Sequence, residues 1–64
     1  MNINLVMTPN VTVNYDTFNE LYIVSDSDGT TNCSNSEVLL HTYQDNVVVC
    51  EAITEHQNML KLFQ

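Results

Sequence analysis

Asn46-Val47-Val48-Val49-Cys50-Glu51-Ala52-Ile53 carries the densest β signal in the chain. Three consecutive valines resist a helix, because two heavy atoms on each Cβ crowd the preceding turn. The stretch therefore reads as a central strand, with Val47 and Val49 on one face and Val48 and Cys50 on the other. Just before it, Gln44-Asp45 reads as a turn, and Glu37 to Tyr43 alternates as a second strand. Two strands joined by so short a link predict a hairpin.

Further upstream the signals continue in kind. Asn2 to Met7 is a short apolar run that Pro9-Asn10 breaks. Val11-Thr12-Val13-Asn14-Tyr15 alternates with a period of two, placing Val11, Val13 and Tyr15 on one face. Asp16 reads as a turn or a helix cap, and Phe18, Leu21 and Tyr22 have the spacing of one helical turn over Thr17–Leu21. Leu21 to Ser25 is another β-rich run, and Asp28-Gly29 is a strong turn signal. Thr30 to Ser36 is small and polar and reads as a loop. Downstream, Thr54-Glu55-His56-Gln57 fits either a helix-opening box or, over Glu55 to Asn58, a hairpin loop. A last strand with Leu60 and Leu62 inward continues the meander. The expected fold is mainly β, a small antiparallel β-meander with at most one short helix; α+β is the alternative. Residues 1–64 make a single domain, and a free sheet edge leaves a homodimer open.

Sixty-four residues bury roughly 60% of the surface the unfolded chain exposes, which excludes a two-lobed enzyme or a dinucleotide fold. With 44% hydrophobic residues and one Gly and one Pro, the chain is neither disordered nor a linker. Its charge is unusual. Eight acids stand against one base, Lys61, for a net charge of −7. Ordinary usage would supply about seven or eight Lys and Arg. Such a chain repels phosphate and anionic lipid, so direct binding to nucleic acid or to a membrane is not expected. The partner expected is a basic protein, typically the nucleic-acid cleft of an enzyme.

Met1 to Met7 lacks a basic segment, and no apolar run approaches the ~20 residues that span a bilayer. A cytoplasmic location follows as an expectation, with Cys33 and Cys50 as free thiols.

Asp26-Ser27-Asp28-Gly29-Thr30, after an apolar run, is similar to the nucleophile motif of haloacid-dehalogenase phosphatases. That chemistry needs a parallel sheet, a later Lys and further acids, for which the chain has no room, so an acidic turn is the better reading. A calcium loop needs Gly at its sixth position, where Thr31 stands. His41 and His56 with the two Cys lack zinc-ligand spacing, and Ser, His and Asp show no nucleophile elbow. No enzyme, cofactor or metal is expected. The acids remain. Alternate strand residues lie about 6.6 Å apart on one face, and phosphates repeat about every 3.4 Å along a DNA strand. A carboxylate row such as Asp26 and Asp28 can therefore imitate a duplex edge. Glu37, Glu20 and Asp45 complete the candidate partner-binding set.

Ser36-Glu37-Val38-Leu39-Leu40-His41-Thr42 resembles the Ser-acid-aliphatic-Leu-aliphatic-His-Thr strand of the phage uracil-DNA glycosylase inhibitors. Asp45 to Val49, Asn58 to Leu62 and Leu21 to Ser27 are similar to other strands of that family, so the resemblance covers about half the chain. It implies an acidic antiparallel sheet that mimics DNA, with Asp26-Ser27 matching an acid-Ser pair inserted into the enzyme's DNA groove. The chain departs from the pattern at Asp28, where the family has an aliphatic residue. It also departs at Gly29 to Asn35, which has no room for the family's helix. The function expected is that of a small acidic inhibitor, a phage-type DNA mimic occluding the basic cleft of a host repair glycosylase or CRISPR-type nuclease. The alternative is a structural subunit of a virion or larger complex.

Overall fold

The computed structural model describes residues 1–63. Four strands, β1 (Asn2–Met7), β2 (Val11–Asp16), β3 (Leu21–Asp26) and β4 (Gly29–Cys33), are followed by two helices, α1 (Ser36–Thr42) and α2 (Val47–Leu62). The strands form one antiparallel sheet in the order β1-β2-β3-β4. The result is an α+β domain: an antiparallel meander with helices on one face.

The period-two reading of β2 holds. Val11 and Val13 are buried and Tyr15 half-buried, and they meet Val24 and Tyr22 of β3 through the pairs Val13↔Val24 and Tyr15↔Tyr22. The other face of the sheet has no helix over it. Its central row runs Asn4, Asn14, Ile23 and Asn32, a mixture of amides and one apolar side chain, with Asn4 Nδ2 donating to Asn14 Oδ1 at 2.9 Å. Each turn has its local cause. Thr8 Oγ1 accepts from the Val11 amide beside Pro9-Asn10. Asp26 and Gly29 flank the two-residue turn Ser27-Asp28, and Gly29 takes φ +133°, a conformation that L side chains rarely adopt. The predicted helical turn after β2 is instead a four-residue hairpin loop, Thr17 to Glu20, closing the pair Asp16↔Leu21.

The second half of the chain differs from its reading. Thr30 to Cys33, expected in a loop, belongs to β4: its threonines suit a strand and it pairs fully with β3. The two strands expected at Glu37–Tyr43 and Asn46–Ile53 are helices, and α2 runs on through the tail that leaned to a strand. Asparagine caps explain both starts. Asn35 Oδ1 accepts from the amides of Glu37 and Val38, and Asn46 Oδ1 from that of Val49. Packing supplies the rest. A strand would align Val47, Val49, Glu51 and Ile53 on one face, with a carboxylate among them. A helix instead gathers Val49, Ile53 and His56, all buried, and turns Glu51 and Glu55 outward. All three valines, Val47 to Val49, fall in the first turn, where no preceding turn crowds them. The core is Val11, Val13, Tyr22, Val24, Leu39, Val49 and Ile53.

Leu60 and Leu62, expected inward, are 36% and 82% exposed. His56 packs on Tyr15 and Tyr22, Gln57 still reaches the Tyr22 hydroxyl and Met59 borders Ile3, while Phe63 at the end of the segment is 83% exposed. Among the described residues no helix is long and apolar enough to cross a membrane.

Candidate functional site

The turns and helices divide the acids among three places. Asp26 ends β3 and Asp28 sits in the turn that follows. Asp45 precedes α2, whose first turn shares a hollow with Thr8 at that same end of the sheet. Glu20 and Asp16 flank the opposite end of the β2–β3 hairpin. Glu37 lies four residues beyond Cys33, whose partner Tyr22 is also at that opposite end. Glu51 and Glu55 project from the middle of α2. The five candidate partner-binding residues thus fall at two ends: Asp26, Asp28 and Asp45 at one, Glu20 and Glu37 at the other. Glu37 opens a helix, not the next strand, and is carried away from the Asp26 turn.

The carboxylate row expected at Asp26 and Asp28 does not form, because the strand stops at Asp26. Asp26 Oδ1 instead accepts the Asp28 amide at 2.9 Å and shapes the turn. Beside it lies a polar hollow of about 300 Å³ between the β1–β2 and β3–β4 turns, bordered by Thr8, Asn10, Ser25 and Asp26. Asp16 has a similar local duty. Its carboxylate accepts from the amides of Phe18 and Asn19 and from Asn19 Nδ2 at 2.8 Å, and these bonds hold its pKa below the ordinary value. Glu20 has φ +56°, a left-handed conformation that costs an L residue about 1–2 kcal/mol. The remaining acids, Glu20, Asp28, Glu37, Asp45, Glu51 and Glu55, are exposed. The only basic side chain apart from histidine, Lys61, stands in the last turn of α2, so at least seven of the eight acids have no lysine or arginine to pair with.

The buried polar groups form a closed cluster that the sequence did not announce. Gln57 Nε2 donates to the Tyr22 hydroxyl at 2.6 Å, and that hydroxyl lies 2.7 Å from His56 Nδ1. With Gln57 donating to the hydroxyl oxygen, the hydroxyl proton is free to point at Nδ1, an arrangement that suits the neutral His56 tautomer protonated on Nε2. Tyr15 stacks on His56 with ring centroids 4.4 Å apart. Burial lowers the His56 pKa and raises those of Tyr22 and Tyr15, the latter also through Glu20 and Asp16. The proton arrangement is thereby stable at neutral pH. This is the chemistry of a satisfied core. His41, in the segment expected to be a strand, is exposed on α1. Cys33 and Cys50 are free thiols, Cys50 Sγ donating to the Tyr43 carbonyl at 3.1 Å. Among the described residues no group of three or more His, Cys, Asp or Glu could hold a metal ion.

Two further hollows lie between α2 and the edge strand β1, one bordered by Val6, Val48 and Glu51, the other by Ile3, His56 and Met59; Leu5, Ala52 and Glu55 border both. Comparison of the chain with protein-family profiles, curated proteins and solved structures gave no match.

Proposed function

We propose that this chain is a non-catalytic acidic binding protein that docks on the basic nucleic-acid-binding face of another protein and occludes it, as a DNA mimic does. The observation that carries the reading is the set of solvated carboxylates for which the chain supplies one lysine. Uncompensated charge of this kind raises the rate of encounter with a cationic surface and excludes anionic ones. The mimicry is local, at the ends of the sheet and along α2, since the open face of the sheet is almost uncharged.

The test begins with capture of partners from a lysate on the immobilised chain. Each captured protein is then assayed for nucleic-acid binding with and without added chain. The expected result is competitive loss of nucleic-acid binding, with association slowing steeply between low and physiological ionic strength, where exposed charges are screened over about 8–10 Å. Partners that keep their full nucleic-acid affinity, or association indifferent to salt, would overturn the reading. Within it, Asp26→Asn with Asp28→Asn is expected to weaken binding about tenfold, or 1.4 kcal/mol, without lowering the melting temperature, because Asn keeps the acceptor that shapes the turn. A second reading, a structural subunit of a larger assembly, is favoured by Leu62, Phe63 and Phe18, each more than 80% exposed. It predicts self-association that persists at high salt.

A further inference from the structure

We propose that the groove between β1 and α2 binds a basic amphipathic segment of another protein, with its apolar residues on the groove floor and its lysines or arginines against Glu51 and Glu55. The inference rests on the reading of the partner as basic, but not on that partner's binding nucleic acid.

The groove is continuous, because its two hollows of about 250 and 220 Å³ share Leu5, Ala52 and Glu55. It follows α2 from Val48 to Met59, a span of about 16 Å at 1.5 Å per residue, or three helical turns. Its floor is apolar for a local reason. The register of β1 on β2 passes from Asn4↔Asn14 to Val6↔Val13, so Leu5 is an extra residue and strict alternation is broken. The bulge turns both Leu5 and Val6 toward the helix layer, where both are half-buried against the core. Opposite them, Val48 and Met59 remain 37% and 52% exposed. The core therefore reaches the surface along this line and is left without cover.

The charge on the rim selects the occupant. Glu51 and Glu55 stand one turn apart, exposed, with no base three or four residues to either side. Like charges at this spacing weaken a helix, and nothing in the fold offsets them. A second copy of this chain is a poor occupant, since it carries the same net charge of −7 and a single lysine. Nucleic acid and anionic lipid are repelled. An apolar stripe flanked by cations satisfies floor and rim together.

The probe is a synthetic leucine–lysine peptide of about eleven residues with one apolar helical stripe, matched to the three-turn span. Its control is a scrambled peptide of identical composition. Amide NMR shifts are expected to concentrate on Leu5, Val6, Val48 and Ala52. Glu51→Lys with Glu55→Lys should weaken probe binding roughly tenfold or more, while Asp26→Asn with Asp28→Asn changes it by less than about twofold. Thermal melts confirm folding of each variant, and Glu51→Gln with Glu55→Gln should show a smaller loss in the same direction. A scrambled peptide that binds equally well, shifts spread over all acidic positions, or undiminished binding by the Lys variant would each overturn the groove. If the Lys variant still binds a captured basic partner at full strength while the Asp26/Asp28 variant does not, the groove falls and the acidic docking role stands.

Discussion

His56 is neutral because of where α2 sets it, and that makes the fold sensitive to acid. Its Nδ1 accepts from Tyr22, and burial holds its pKa below the ordinary 6.5. As pH falls, the unfolded chain takes up a proton before the folded one does. The contribution of His56 is thus complete above about pH 6.5 and is lost as pH falls through its lower folded-state value. Urea titrations should give a constant midpoint from neutral pH upward and one that starts to fall as pH drops below about 6.5, before carboxylates titrate. His56→Gln should lose that slope. Tyr22→Phe strips both His56 Nδ1 and the Gln57 amide of their partner and should cost about 1–3 kcal/mol. Glu20 offers a prediction of opposite sign. Replacing this left-handed residue with Gly should raise stability by up to about 1 kcal/mol, the relief of strain exceeding the entropy Gly adds to the unfolded chain, and so raise Tm by about 4–8 °C. Glu20→Ala should leave Tm near that of the parent.

The helices are the elements that reading by propensity missed, and the reason is specific. Valine preference is weak and local, while the burial of Val49, Ile53 and His56 on one stripe is a tertiary effect that overrides it. The signal was present in the caps. Asn35 and Asn46 each stand before a run with helical spacing, and both were passed over in favour of alternation. β2, by contrast, was legible because Val11, Val13 and Tyr15 alternate with polar residues, and β3 because an apolar run ends on an Asp-Gly turn. Helix and strand make different predictions for neighbouring valines. In a strand Val47 and Val49 share a face and fail together. In α2, Val49 is fully buried and Val47 is 65% exposed. Val49→Asp should unfold the domain, since the chain's whole stability is about 3–10 kcal/mol at roughly 0.05–0.15 kcal/mol per residue. Val47→Asp should melt at or slightly above the parent temperature, an added carboxylate at a helix N-terminus being worth about 0.3–1 kcal/mol. Circular dichroism melts of the two variants separate the cases.

At the scale of the molecule, composition announced the scarcity of cations but not where the acids would gather. Reading Thr30 to Ser36 as a loop and Glu37 as the start of the next strand would have set Glu37 beside the Asp26 turn. The short strand β4 carries the chain back to the other end before α1 begins, so a surface assembled along the sequence comes apart in space. The groove was hidden for a related reason: it depends on a one-residue bulge in β1 and on a helix where a strand was expected. That same helix leaves the chain with a dormant alternative. Val47-Val48-Val49-Cys50-Glu51-Ala52-Ile53, with one charge in seven residues, keeps its preference for extended backbone wherever Asn46 and the sheet no longer hold it. Segments of six or seven residues with this composition, low charge and no Pro or Gly stack into cross-β fibrils. Near neutral pH the charge of −7 keeps molecules apart. Mild acid should remove both safeguards together, by protonating His56 and neutralising the carboxylates. Incubation at about pH 4–5, where carboxylates begin to take up protons, should give thioflavin-positive fibrils after a lag. Val48→Lys, at a position 37% exposed in the folded domain, should suppress them, so that a single surface residue sets how long the acidified protein stays in solution.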